Sequence, residues 1–227
     1  LEDPTMADDA DYLAFIDDDE RAAPDWLAQA LRTARERAAD VVFGPVISLL
    51  PPTAPRWLRE GNFHARPRYP TGTPRLFGAT NNALVSTRLL RRLEPRFSAE
   101  YAHSGGEDTD FFARLGRAKA VMLWCDEAVV SEDIPADRTR LRWLAQRHFR
   151  GGQAFARIFV PHMSWRGRLT WLAKRSLLFL GGSIACPLLW PLRQRWGIKA
   201  LLTVVNNAGQ LTGLSRFRYY EYAASAD

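Results

Sequence analysis

The sequence predicts an α/β domain followed by a basic helical tail. The domain is read from short apolar runs of strand length that alternate with amphipathic stretches at helical spacing. The tail is read from charge. Residues 1–135 carry 16 Lys/Arg against 22 Asp/Glu, whereas residues 136–227 carry 15 against 3, together with five of the eight tryptophans. The expected division is therefore an acidic, sheet-containing region over 1–135 and a basic, amphipathic region over 136–227.

Tyr12–Ile16 is a compact apolar run closed by polar residues, which reads as a short buried strand. Pro24 opens a helix over about 24–38, with Trp26, Leu27, Ala30, Leu31 and Ala34 at helical spacing. Val41–Leu50, rich in β-branched residues, reads as one strand. Residues 51–75 hold Pro51, Pro52, Pro55, Pro67, Pro70 and Pro74 with Arg56, Arg59, Arg66, Arg68 and Arg75. An irregular loop of that length is functional, mobile or a plain surface excursion. Residues 75–86 read as a strand or hairpin edge, and Ser86 as the cap of a short helix through Leu93. Residues 104–118 read as a glycine turn feeding a helix. Strands follow over 119–125 and 127–133, then a long basic helix over 137–159 interrupted near Gly151–Gly152.

Ser176–Leu192 has no charged residue and is flanked by Lys174, Arg175, Arg193 and Arg195. It is at the lower limit for spanning a bilayer, and Pro187 and Pro191 fall in its last turns. A half-inserted or interfacial helix is the preferred reading, ahead of a buried core helix and of a true span. Residues 197–214 give a weaker apolar signal of the same kind.

A basic region faces a polyanion, either nucleic acid or an anionic membrane. The Leu, Ile and Trp content and the lack of any nucleic-acid-binding motif favour the membrane surface. Cys125 and Cys186 form no disulfide framework and indicate a reducing compartment. The opening residues lack a signal-peptide pattern. The sequence begins on Leu1 and not on Met, so the natural start is expected upstream.

The stretch "YLAFIDDDER" sets Asp17, Asp18, Asp19 and Glu20 directly after a strand. Ligands of open α/β sheets bind at the carboxyl ends of strands. Carboxylates there suit a hard divalent cation, Mg²⁺ or Mn²⁺, bridging protein to substrate phosphates. Alternation along the chain would let Asp17 and Asp19 share one ion. The competing reading is an acidic turn that caps the following helix. An EF-hand fails because Arg21 occupies its third ligand position, and a DxDxT phosphatase fails because Arg21 stands in place of the threonine. Glu107 and Asp108 form a second acidic site at a helix N-terminus, where the helix dipole would hold a carboxylate ionised. Gly105 and Gly106 before them permit a sharp turn. Ordinary acid placement at a helix start is the alternative. Two acid clusters resemble a glycosidase pair, but a metal-shaped cluster with a single base points to group transfer from a phosphorylated donor.

The order "DYLAFIDDDE", "GATNNALVS", "GGEDTDFFARL" and "SEDIPADRTRLRWLAQRHFRGGQAFARI" resembles the family 2 glycosyltransferases of the GT-A fold. The bacterial exopolysaccharide, succinoglycan-type subgroup is most similar, over roughly residues 10–160. The resemblance implies inverting transfer from a nucleoside-diphosphate sugar to a lipid-linked saccharide acceptor in cell-surface polysaccharide synthesis. It implies that Asp19 binds the metal with Asp17 as partner, that Asp17 and Asp18 contact the donor, and that Asp108 is the general base with Glu107 beside it. Asn81 and Asn82 match the segment lining the acceptor side. Arg147 and Arg150 lie where related enzymes place pyrophosphate- or acceptor-binding groups. Gln146 and Arg150 match the QxxRW motif of processive members only loosely, and Glu132 is a further ligand or a structural residue. The implied location is the cytoplasmic face of the bacterial inner membrane, peripheral or partly inserted. The family's first strand has no counterpart in "LEDPTMADDA". The sheet is therefore expected to be partial, with an unpaired edge, and a catalytically silent membrane-associated fragment is the alternative function.

Overall fold

The computed structural model describes residues 10–91, 93, 97–101 and 105–215. The opening segment before Ala10, the end of the predicted helix at Arg92, the turn residue Ser104 and the tail after Ser215 lie outside the described residues. The chain forms two compact units. One comprises Leu1–Leu49, His64–Ser98 and Glu107–Asp133; the other comprises Leu50–Phe63, Ala99–Gly106 and Ile134–Asp227.

The first unit is built on two small mixed sheets. Strands β1 (Tyr12–Ile16), β3 (Val41–Phe43), β5 (Asn82–Ser86) and β6 (Met122–Trp124) form one sheet in the order β1-β5-β3-β6. β5 runs antiparallel to β1 and β3, and β3 parallel to β6. Strands β2 (Glu20–Ala22), β4 (Val46–Leu49) and β7 (Val130–Asp133) form the second, in the order β2-β7-β4. The predicted α/β class holds. β1 has a neighbour on one side only among the described residues.

Strand alternation sorts the core into two layers. Val41, Phe43, Ala83, Val85, Met122 and Trp124 pack with Phe111, Phe112 and Leu115 of α4 (Glu107–Arg117). Val42, Leu84 and Leu123 face the other way, onto Ala30 and Ala34 of α1 (Trp26–Glu36). Phe112 meets Phe43 edge-on at 4.7 Å between centroids. Such aromatic pairs add about 0.5–1.5 kcal/mol beyond their area.

Residues 41–50 are two strands in different sheets and not the single strand predicted. The switch falls at Gly44–Pro45. A Cβ on Gly44 would lie 2.0 Å from the Ala128 carbonyl oxygen, and Pro45 has no N–H for a ladder. Gly44 N–H still bonds the Asn82 carbonyl, and the Pro45 carbonyl accepts from Val130 N–H in the second sheet. Within residues 51–75, α2 (Arg56–Gly61) interrupts the predicted loop. Ser86 stands at the N-cap of α3 (Thr87–Leu90), but its hydroxyl makes no capping bond.

The second unit is helical. It contains α2, α5 (Leu141–Phe159), α6 (Trp165–Leu189) and α7 (Gln194–Thr212). Ser164 caps α6 by accepting from Gly167 N–H at 3.2 Å. Pro187 lies within α6 and Pro191 beyond its end. Helix α5 runs unbroken through Gly151–Gly152, against the predicted interruption. The physical reason is packing: a Cβ on Gly152 would lie 2.3 Å from the Asn206 carbonyl oxygen of α7, and one on Gly209 would lie 2.1 Å from that of Phe149. These glycines let two backbones approach.

Candidate active site

Strands β1, β3 and β6 run in one direction and end together, because Phe15 pairs Ala83, Ala83 pairs Phe43, and Phe43 pairs Trp124. All three chains cross to the second sheet beyond this end. The acidic stretch is the first crossing. Asp17–Glu20 form a tight turn, with Glu20 N–H donating to the Asp17 carbonyl at 3.1 Å. The Glu20 side chain closes it by accepting from Asp17 N–H at 3.2 Å. Asp17, Asp18 and Asp19 are exposed, whereas Glu20 is only 9% exposed.

Two acids of this turn, Asp17 and Glu20, are shifted upward from their ordinary values. Loss of water around the carboxyl pushes Asp17 up, reinforced by the charge of Asp19, against the pull of Arg66. Glu132 and Asp18 raise it less. Glu20 is pushed up to about 7, chiefly by burial. Glu20 stands directly opposite Glu132 in the β2–β7 pair, an arrangement that destabilises when both are charged. Arg66 answers it: its guanidinium donates to Glu132 Oε1 at 3.0 Å, and Ser48 Oγ donates to the same oxygen at 2.8 Å. Glu132 is 6% exposed. Arg66 lies in the segment read as an irregular loop that is functional, mobile or a surface excursion.

The register Ile16↔Asn82 brings Asn81 to the same end as Asp17. Asn81 lines a cavity of about 430 Å³ with Arg66, Tyr69, Arg75, Trp124 and Thr109. Its wall is ordered. The 64–80 segment is tied to β6 and the residues after it by Gly72 N–H to Trp124 O at 2.7 Å, Arg75 N–H to Met122 O at 2.8 Å and a two-bond Arg68–Asp126 pair at 2.9 Å. The Arg75 guanidinium sits 4.0 Å above the Tyr69 ring, and Tyr69 meets Trp124 edge-on at 5.3 Å. Such an aromatic and cationic wall suits a polar, ring-shaped ligand.

Asn82 is buried and its amide is committed to the fold. It donates to Pro45 O at 3.0 Å and Ala128 O at 2.8 Å, and it accepts from Trp26 Nε1 at 2.8 Å. Glu107 and Asp108 occupy the first turn of α4, next to the cavity residue Thr109. Asp108 accepts from Thr109 N–H at 2.6 Å. Burial raises the Asp108 pKa, the Thr109 bond opposes that rise, and the Glu107 charge adds to it. The direction is opposite to the lowering expected from the helix dipole, because desolvation outweighs it. Arg147 and Arg150 belong to α5 in the helical unit. The Arg147 guanidinium sits 5.2 Å over the Trp143 ring.

Among the described residues, no three His, Cys, Asp or Glu side chains converge into a metal cage. Mg²⁺ does not need one. It keeps several waters and is held by one or two carboxylates with substrate phosphates. Asp17 and Asp19 supply that donor set on an exposed turn, so the residues fit such an ion.

Sequence reasoning placed Glu20 in the acidic stretch but gave it no role, missed Tyr69 and Trp124 and the specific parts of Arg66 and Arg75, and raised Glu132 only as a further ligand or a structural residue. The one available signal was the density of arginine among prolines over 51–75, a poor framework for a floppy loop.

Residues 12–206 match the family model described as Glycosyl transferase family group 2. The chain is 38% identical over 210 residues to the succinoglycan biosynthesis protein ExoM of Rhizobium meliloti (strain 1021), covering 90% of this chain and 66% of that protein. It thus spans just under two thirds of that relative. Among solved structures it is similar to S. aureus TarS 1-349 in complex with UDP, at 12% identity and a TM-score of 0.41, over 90% of this chain and 67% of that one. The UDP-GlcNAc complex of the same protein gives 12% and 0.41, over 89% and 67%.

Proposed function

Because this chain belongs to glycosyl transferase family group 2, we propose that it transfers a sugar from a nucleoside-diphosphate sugar to a saccharide acceptor in the synthesis of a cell-surface polysaccharide. One observation carries the reading. The antiparallel register of β1 and β5 sets the Asp17–Asp19 turn beside Asn81, and Asn81 shares a cavity wall with Thr109, the neighbour of Asp108. Acids suited to a donor's diphosphate and a carboxylate suited to an acceptor's proton thus belong to one unit.

Asp19 and Asp17 would hold a divalent cation, Mg²⁺ or Mn²⁺, with Asp18 toward the donor and Asn81 toward the acceptor. When bound, that ion supplies positive charge to the departing diphosphate. Asp108 accepts the proton of the attacking hydroxyl in a single, inverting displacement. Its raised pKa makes it a stronger base than a free aspartate. Glu107 tunes that basicity. Asn82 holds the strand ends in place. The ring-and-guanidinium wall of Tyr69, Trp124 and Arg75 receives the acceptor saccharide.

The acceptor is read as lipid-linked and the enzyme as sitting at the cytoplasmic face of the inner membrane. Helix α6 supports this: it is long and apolar enough to cross a membrane, and none of its residues is buried. Leu177 and Ile184 are 71% and 66% exposed. Helices α5 and α7 meet through glycines and amides, a packing style common in membranes. Arg147 and Arg150 add cationic character on α5.

Isothermal calorimetry with Mn²⁺ and UDP tests the site. Coupled binding is expected, and Asp19→Ala should abolish the metal dependence. Unchanged metal-dependent affinity in that variant would sink the assignment. A folded chain that binds neither ligand would leave a membrane-associated module without transfer activity.

A further inference from the structure

Helices α6 and α7, with His148 of α5 and Gly61, Asn62 and Phe63 at the end of α2, line a second, open cavity of about 570 Å³ within the helical unit. Arg175 and Leu178 of α6 line it, with Lys199, Thr203, Asn206 and Asn207 of α7. No acidic side chain lines it. From Arg138 to Tyr220 the sequence contains no Asp or Glu at all.

Two polar groups in this wall lack partners. Arg175 Nε is buried with no hydrogen-bond acceptor, although the guanidinium sits 5.8 Å over the Phe155 ring. Asn207 is 2% exposed; its Nδ2 donates to Thr203 O at 2.7 Å, but its Oδ1 has no donor. A buried donor and a buried acceptor left unmet each cost free energy. The cavity thus calls for an anionic oxygen near Arg175 and a hydroxyl or amine near Asn207. Lys199 is exposed and makes no ion pair among the described residues, so it supplies a second cation. On the same α6, Leu177, Leu180, Ile184 and Leu188 are 59–71% exposed.

We propose that this cavity binds the phosphate of a lipid headgroup, with Arg175 and Lys199 on the phosphate and Asn207 on the adjoining polar group, while the outer face of α6 lies among acyl chains. The site rests on the membrane reading of α6 and not on the sugar-transfer chemistry, which the sheet unit carries. It converts a general attraction to anionic surfaces into a specific one.

Flotation of the full chain tests it with vesicles of phosphatidylcholine alone, with added phosphatidylglycerol, and with added polyprenyl diphosphate. Binding to phosphatidylcholine reads the apolar face by itself. The site predicts a preference of about tenfold or more for at least one phosphate-bearing vesicle. Phosphatidylglycerol would identify a bulk membrane lipid, and polyprenyl diphosphate alone the carrier of a lipid-linked substrate. Lys199→Glu should remove that preference, whereas Arg166→Glu, the same charge change outside the cavity, should retain most of it. Arg175→Gln should act like Lys199→Glu, with far-UV circular dichroism to verify folding. Should it fail to fold, the exposed Lys199 decides.

Equal losses in Lys199→Glu and Arg166→Glu would overturn the site in favour of diffuse adsorption. Flotation on phosphatidylcholine without any preference would overturn it while leaving the membrane reading intact. Absence of flotation on every vesicle would remove both. Glycerol 1-phosphate binding as tightly in solution as the vesicles do would assign the cavity to a soluble ligand. Mn²⁺ and UDP titration of the same variants reads the sheet unit separately.

Discussion

The sheet unit and the helical unit solve the problem of buried polar groups in opposite ways. In the sheet unit, two of them sit at strand ends and are answered there: Glu132 by Arg66 and Ser48, and Asn82 by two carbonyls and an indole. In the helical unit they are amides strung between helices. Trp171 Nε1 donates to Gln210, Gln210 to Asn206, and Asn206 to the His148 carbonyl. Loaded strand ends fix charges in space, which chemistry requires. Amide strings beside an apolar, uncovered helix hold helices together where burial of apolar surface drives little, which a lipid interface requires. The division of labour proposed here follows from that contrast.

The sharpest way to break the comparison is to remove the base. Asp108→Asn should lower transfer by about 10²–10⁴-fold while leaving UDP and Mn²⁺ binding and vesicle flotation unchanged. Steady-state transfer assays alongside calorimetry check it. A parallel loss of donor binding would mean that Asp108 shapes the donor site instead.

Breaking the Arg66–Glu132 pair comes next. Glu132 is nearly fully buried, while Arg66 keeps 29% of its side chain exposed. Arg66→Gln leaves Glu132 without its cation, facing Glu20 across the strands, and should cost about 2–3 kcal/mol after allowance for the exposed arginine. Urea denaturation measures it. Flotation, carried by the helical unit, should be unaffected in the folded protein.

A smaller effect concerns pH. Burial and the charge of Glu107 both raise the Asp108 pKa. The base must be ionised, so activity should fall with acidification through a pKa above the ordinary aspartate value of 3.8. Removing the neighbouring charge in Glu107→Gln lowers that pKa, and the acid limb of kcat/KM should move to lower pH. An unmoved limb would show that another group controls it.

The sheet unit was more legible than the helical one. Tyr12–Ile16 could be read as a strand, though not as the buried one expected, since none of its residues is buried, and the helix carrying Glu107 and Asp108 could be read from acids ahead of an apolar face. The split of residues 41–50 between sheets could not, because Gly44–Pro45 looks like a flaw in one strand until the Ala128 carbonyl is known to press on it. Nor could Arg66, whose meaning depends on a partner 66 residues away. The same holds for the wall of Tyr69, Arg75 and Trp124, assembled from a loop and a distant strand. The sign of the Asp108 shift was misjudged for a related reason: the helix dipole is a local property, but desolvation is set by the fold.

Gly151 and Gly152 isolate that lesson in adjacent residues. From sequence they form one helix-breaking pair, since glycine costs about 0.5–1 kcal/mol relative to alanine in a helix interior. In the structure only one is constrained. A Cβ at Gly151 meets nothing within 4 Å, whereas one at Gly152 would lie 2.3 Å from the Asn206 carbonyl oxygen. That neighbour is backbone and cannot rotate away. Gly151→Ala should therefore stabilise the helical unit by about 0.5–1 kcal/mol through propensity alone. Gly152→Ala should destabilise it by about 1–3 kcal/mol through overpacking against α7. Thermal denaturation in detergent or vesicles compares the two. Two stabilising substitutions would show that α5 and α7 do not meet as closely as the glycines imply. Two destabilising ones would restore the sequence reading of a break.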